Sequence, residues 1–271
     1  MLVQDREPAL HTFQKQLTPM ARQVIIHAGQ HRTGSTSIQQ YLKFNRDQLS
    51  RRGIAVCPNW TAGLERIDAG NLNCNAKAIA NAVIRDSLQT PVRLSDVCPI
   101  LNPAQKIEGL ARVNAYLRQL PQETVILSAE ALSFVRQSDE LELIEKLCLG
   151  MDFRALMFLR NPNDWLESWK SQVAYLMAQN LAEASSGTGV FDFSESTWLT
   201  DHDAMRGAWG NRCKFLSYEA ALKTHGSVIP AFLIELGLDP ASCHDWKCFV
   251  ANSSATKKLR LAGNQLGSKR L

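Results

Sequence analysis

The chain has 271 residues, 45% of them hydrophobic and 21% charged, with 30 basic and 26 acidic side chains and a net charge of +4. That length can bury a sizeable core, and the composition is that of an ordinary globular protein rather than a disordered or fibrous one. The charge is too mild to argue for nucleic acid, but it is compatible with an anionic ligand.

In chain order, residues 1–22 read as an N-terminal extension. The stretch Met1 to Gln23 holds Gln4, Asp5, Arg6, Glu7 and Gln14 without an apolar core, so it is expected to be neither a signal peptide nor an anchor. A single domain is expected over 23–271. Val24 to Ala28 is a short β-branched run, followed at once by a Gly-containing turn. From Gly34 to Ser50, Ile38, Tyr41, Leu42 and Leu49 fall near one helical face. Ile54 to Val56 reads as a second strand stopped by Pro58. A helix carrying Ile79, Ala80, Val83, Ile84 and Leu88 should run until Pro91. Another carries Ile107, Leu110, Val113 and Leu117 and ends by Pro121.

Thr124 to Ser128 is a third apolar run of strand length, followed by a helix ending at Gly150. Ala155 to Leu159 is a fourth, and its helix puts Trp165, Leu166, Trp169, Val173 and Leu176 on one side. Lys214 to Ser217 is the last strand. Strands separated by helices predict an α/β fold: three layers, α/β/α, with a mostly parallel central sheet. The Gly- and Ser-rich segment from Ala184 to Ser196 reads as an excursion able to act as a lid. Trp165, Trp169, Trp198 and Trp209 read as core.

The longest apolar stretch, Val228 to Leu238, is too short to span a bilayer. The seven cysteines (Cys57, Cys74, Cys98, Cys148, Cys213, Cys243 and Cys248) are scattered singly, which favours reduced thiols in the cytoplasm over a disulfide framework. No zinc-like Cys/His spacing is present, and no metal is expected.

The most informative stretch is Val24 to Gln40, VIIHAGQHRTGSTSIQQ, where a strand feeds a loop and the loop feeds a helix. Gly29, Gly34, Ser35 and Thr36 sit at the spacing of a Walker loop, whose backbone N–H groups cradle a phosphate at a helix N-terminus. A Walker loop, however, needs Lys directly after the second glycine to reach the outer phosphates. Here Ser35 holds that place and the cation stands earlier, at Arg32. The loop therefore suits a shorter anionic group. A degenerate P-loop kinase or NTPase, or a ligand-free Gly-rich turn, remains open from these residues alone.

A second stretch, Leu159 to Gln172 (LRNPNDWLESWKSQ), puts Arg160 at a strand end and Ser168 about two turns into the next helix. Arg offers a planar fork of donors and Ser a hydroxyl, so the two can converge on one phosphate. Together these stretches resemble the PAPS-dependent sulfotransferases, bacterial members above all. IHAGQHRTGSTSIQ is similar to the family's 5′-phosphosulfate loop, usually H-K-T-G-[ST]-[ST], and LRNPNDWLES to its 3′-phosphate stretch. Weaker echoes are Leu216-Ser217-Tyr218-Glu219, and Asn252-Ser253-Ser254 with Leu259-Arg260 and Asn264. Arg32 replaces the family's lysine.

The resemblance implies sulfuryl transfer from 3′-phosphoadenosine 5′-phosphosulfate (PAPS) to an acceptor hydroxyl, leaving adenosine 3′,5′-bisphosphate (PAP), without metal. It implies donor contacts from Arg32, Thr33, Gly34, Ser35, Thr36, Ser37, Arg160 and Ser168. Arg32 would stabilise charge on the departing oxygen. For the general base the candidates are Glu130, which follows a strand in the phrase Ser128-Ala129-Glu130, and His31 inside the loop. A carbohydrate is the first acceptor expected, with lipid, small-molecule and peptide tyrosine hydroxyls behind it. A non-catalytic PAP-binding homologue is the other alternative. The basic residues Lys247, Lys257, Lys258, Arg260, Lys269 and Arg270 read as a solvated tail, Arg260 being left open.

Overall fold

The computed structural model describes residues 22–67, 74–88, 90, 93, 99–177 and 197–249. The extension 1–21, the segment Ala184 to Ser196, Cys98 and the tail from Val250 with its Asn252, Arg260 and Asn264 echoes lie outside the described residues.

Five strands form one sheet: β1 (Gln23–His27), β2 (Ile54–Val56), β3 (Thr124–Ser128), β4 (Asp152–Leu159) and β5 (Cys213–Ser217). Their order is β2-β3-β1-β4-β5, and every pairing is parallel. Parallel strands need helical crossovers that cover both faces, which is why the inner strands read as unbroken apolar runs. Side chains alternate between the two layers accordingly. Val24 and Ile26 of β1, Val125 and Leu127 of β3, and Ala155 and Met157 of β4 enter one core; Ile25, Ile126, Leu156 and Phe158 enter the other.

Ten helices follow in chain order among the described residues. They are α1 (Ser35–Phe44), α2 (Arg46–Arg51), α3 (Lys77–Val83), α4 (Pro103–Gln119), α5 (Ser138–Leu147), α6 (Pro162–Met177), α7 (Thr197–Thr200), α8 (His202–Trp209), α9 (Tyr218–His225) and α10 (Val228–Glu235). On the second core, Ile38, Tyr41 and Leu42 of α1 pack with Ile229, Phe232 and Leu233 of α10. The opposite core takes residues from α3, α4, α5, α6 and α8, with Trp165, Trp169 and Trp209 each 1% exposed. These three tryptophans are core, as expected. Trp198 is half-buried, with the guanidiniums of Arg85 and Arg136 over its ring at 5.0 and 5.4 Å.

Three helix readings are corrected. The helix expected from Gly34 to Ser50 is broken at Asn45, whose backbone leaves helical geometry (φ −104°, ψ 16°) and whose side-chain amide joins its own N–H in donating to the Tyr41 carbonyl at 3.0 Å. The helix expected to reach Pro91 stops at Val83. There the buried Arg93 guanidinium donates to the carbonyls of Asn81, Ile84, Arg85 and Leu88, replacing the missing helical donors. In α4, Ile107 faces solvent while Lys106 is buried, its ammonium 2.6 Å from Asp86. Val173 and Leu176 lie in α6, with side chains outside the described set.

Candidate active site

Strand order fixes where a ligand can enter. After β1 the chain crosses to β2, on one side; β3 to β4 and β4 to β5 both move the other way. The neighbouring strands β1 and β4 therefore send their exits in opposite directions, which opens a crevice at their C-terminal ends. The two motif stretches are the loops that leave those two ends.

The loop after β1 is locked from outside. Three consecutive carbonyls are occupied: Thr33 Oγ1 donates to Gln30 at 2.5 Å, the Trp165 indole N–H to His31 at 2.5 Å, and Arg160 Nη1 to Arg32 at 3.3 Å. The Gln30 side chain is buried, accepting from the Arg160 N–H at 3.3 Å and donating to the Leu199 carbonyl at 3.1 Å. Two glycines are sterically required. A Cβ on Gly29 would lie 2.7 Å from His27 Nε2 and 2.8 Å from Ser35 Oγ. Gly34 has φ 84°, and its Cβ would meet Val228 Cγ2 at 2.7 Å. Arg32 also takes a left-handed conformation, φ 67°.

Inside the loop the polar groups lack partners. Helix α1 begins at Gly34 with no side-chain cap and no acidic residue in its first turn. Among the described residues, nothing accepts from the N–H groups of Gly34, Ser35 or Thr36. Ser35 Oγ and His27 Nε2, both buried, are likewise unpaired. An uncapped helix start carries partial positive charge. Unpaired buried polar atoms are costly, and an anion at this spot would satisfy those that donate. Of the other expected contacts, Thr33 and Ser37 are buried and Thr36 is exposed.

Arg32 and Arg160 flank this cradle. Arg32 Nε donates to Ser168 Oγ at 2.9 Å and Nη1 to Gln172 Oε1 at 3.2 Å. The Arg160 guanidinium lies 5.2 Å over the Tyr218 ring. Arg32 thus links the two stretches, through its side chain to Ser168 and through its carbonyl to Arg160. Arg160 also lines a cavity of about 440 Å³ at the C-terminal edge of β4 and β5, together with Arg206, His202, Ser217 and Glu219. Ser168 does not line it.

The two candidate bases meet. His31 Nδ1 lies 2.9 Å from Glu130 Oε2, the side chains being 18% and 20% exposed. The imidazole sits between the Phe134 and Trp169 rings, at centroid distances of 5.1 and 5.2 Å. Burial alone would raise the Glu130 carboxyl, but the His31 hydrogen bond and the fields of His31, His27 and Arg32 outweigh it and hold the group below the usual carboxylate range. An ionised Glu130 accepts, so Nδ1 of His31 donates and its lone pair is left on Nε2, which has no partner.

The neighbouring His27 differs. It is fully buried at the end of β1, with Nδ1 2.8 Å from Ser128 Oγ and its ring edge on Phe232 at 5.3 Å. Burial pushes it down to about 4, partly opposed by the Glu130 charge. His27, Ser128, Gln30 and the aromatic walls of His31 escaped the sequence reading. The signal for the first two is the parallel register that sets His27 opposite Ser128.

Among the described residues no group of three or more His, Cys, Asp or Glu side chains could hold a metal ion, and no helix is long and apolar enough to cross a membrane. No family model matches this chain, and no curated protein matches it. Among solved structures, it is similar to a sulfotransferase from Alicyclobacillus acidocaldarius at 13% identity, over 81% of this chain and 82% of that one, with a TM-score of 0.46. It is also similar to the sulfotransferase domain from the curacin biosynthetic pathway, at 11% identity over 80% of this chain and 74% of that one, with a TM-score of 0.41.

Proposed function

We propose that this chain is a sulfotransferase that moves a sulfuryl group from PAPS to an acceptor hydroxyl. The observation that carries the reading is the uncapped start of α1, set over the buried, unpaired Ser35 Oγ and His27 Nε2 with Arg32 beside it. A Walker lysine would have supplied its own charge there; Ser35 supplies none, so the cradle suits an anion smaller than a triphosphate. Arg160, joined to the same loop, offers a second anion contact, as a donor with two separated anionic groups requires.

When bound, the donor supplies the sulfuryl group and the phosphate that leaves. The chain's own part is positioning and charge. The N–H groups of Gly34, Ser35 and Thr36, the Ser35 hydroxyl and Arg32 hold negative charge at the loop, Arg32 stabilising the departing oxygen. His31 Nε2 takes the proton from the acceptor hydroxyl. Glu130 fixes the tautomer and stabilises the imidazolium, and the Phe134 and Trp169 rings keep the imidazole in place. In this reading Thr36, Ser37 and Thr33 shape the loop's donor face, and Ser168 sets the Arg32 side chain.

The acceptor is proposed to be a carbohydrate hydroxyl, and the compartment the cytoplasm, in keeping with the separate free cysteines. Residues 23–271 form the proposed catalytic domain. Calorimetry with PAP, ATP and ADP in metal-free buffer tests the donor assignment. PAP should bind about tenfold or more tighter than either comparator, since each unmatched charged contact costs about that much. Tighter ATP binding that needs Mg²⁺ would replace this reading with a kinase or NTPase. PAP binding without turnover on any acceptor pool would leave a binding protein.

A further inference from the structure

The cavity at the C-terminal edge of β4 and β5 holds a second guanidinium that no motif announces. Arg206, in the last turn of α8, stacks over the Phe215 ring at 5.0 Å, much as Arg160 stacks over Tyr218 at 5.2 Å. Both line the same cavity of about 440 Å³. Among the described residues neither makes an ion pair, so both positive charges stay available.

The cavity's acidic lining residue is Glu219, and its carboxylate is already engaged. Oε1 accepts from the Asn161 N–H at 2.9 Å and Oε2 from Ser217 Oγ at 3.4 Å. His202, also on the wall, has a buried Nε2 with no partner. Two guanidiniums and an unpaired imidazole nitrogen against one engaged carboxylate make a wall suited to a dianion. A phosphomonoester presents the oxygens that planar guanidinium forks match. Ser168, the partner that the Arg160 motif suggests, is instead held by Arg32 and stands outside this cavity.

We propose that Arg206 joins Arg160 in clamping the ribose phosphate of the donor nucleotide, with His202 as a hydrogen-bonding neighbour. The clamp makes the chain selective for adenosine carrying a phosphate on its ribose as well as at its 5′ end. This assignment rests on the donor reading above. It adds a selecting residue to that reading and moves the anion contact from Arg160 with Ser168 to Arg160 with Arg206.

The test is calorimetry of PAP and of adenosine 5′-phosphate, which lacks the ribose phosphate, against wild type, Arg206→Ala and Arg206→Lys. Arg206 is exposed, so its loss should leave the fold intact, as equal melting temperatures would show. Arg206→Ala should weaken PAP about 10- to 100-fold and leave adenosine 5′-phosphate within about twofold; Arg206→Lys should restore part of the loss. Equal PAP affinity in wild type and Arg206→Ala overturns the clamp while the donor reading stands. An equal loss for both nucleotides also overturns it, since Arg206 would then act through a general field. Wild type that binds no PAP removes the donor reading and the clamp with it.

Discussion

One histidine stands at the entry of the phosphate-type loop and another inside it, and their surroundings differ in almost every respect. His27 ends β1, fully buried beside a neutral hydroxyl, Ser128, and the Phe232 ring. His31 stands four residues on, partly exposed, against the Glu130 carboxylate and between two aromatic faces. The same ring is therefore kept neutral by full burial at one place and set against a carboxylate at the other. Burial decides at His27: it holds the ring down although the Glu130 charge works in the opposite sense, and the Ser128 hydroxyl gives an imidazolium nothing to balance its charge.

The largest effect expected from this contrast is on turnover. His31→Ala should lower kcat about 10²- to 10⁴-fold, the usual range for a lost general base, with PAP affinity nearly unchanged. Unaltered kcat would take His31 out of proton transfer and return the role to Glu130. Glu130→Gln comes next. It keeps the shape but can present an amide N–H₂ to Nδ1, favouring the wrong tautomer, and kcat should fall by about 10². If Glu130 were the base itself, Glu130→Gln would cost more than His31→Ala, so the ranking of the two variants separates the roles.

The third effect concerns stability rather than turnover. His27 is lowered from 6.5 to about 4 in the fold, so the unfolded chain binds the proton first as pH falls. The stability this provides is complete above pH 6.5 and is lost between 6.5 and 4, amounting to about 3 kcal/mol. Urea melts of wild type and His27→Gln across that window should converge as pH falls. Parallel curves would show that His27 charges inside the fold. Glu130, held below its ordinary 4.5, contributes in the same direction at lower pH, so the two windows can be told apart.

Much of this was legible in the residues. The inner strands announce themselves because a parallel sheet covered on both faces makes every position apolar, as in Val24-Ile25-Ile26 and Ala155 to Leu159. The cradle showed through its glycines, since Gly29 and Gly34 occupy positions that no Cβ can share. What stayed hidden arises across distance in the chain. The end of α3 at Val83 depends on a guanidinium from Arg93, reaching back to carbonyls that pattern rules assign to a continuing helix. The His31–Glu130 pair depends on β1 and β3 being neighbours with His27 opposite Ser128, which no local spacing encodes. Arg206 was hidden for the same reason: β4 lies beside β5, and only that pairing brings α8 to the edge where Arg160 emerges.

Gly34 also ties the loop to the order in which the molecule can assemble. Its Cα lies against Val228, at the start of α10, and α1 packs on Ile229 and Phe232 of the same helix. The cradle after β1 is thus backed by a helix that lies far along the chain, in the segment from Val228 to Glu235. Contacts so distant in sequence close late, because loop closure must precede them. A nascent chain halted before residue 228 could pair β1 with β3 yet lack the wall behind Gly34, so the cradle would be completed only once α10 has been made.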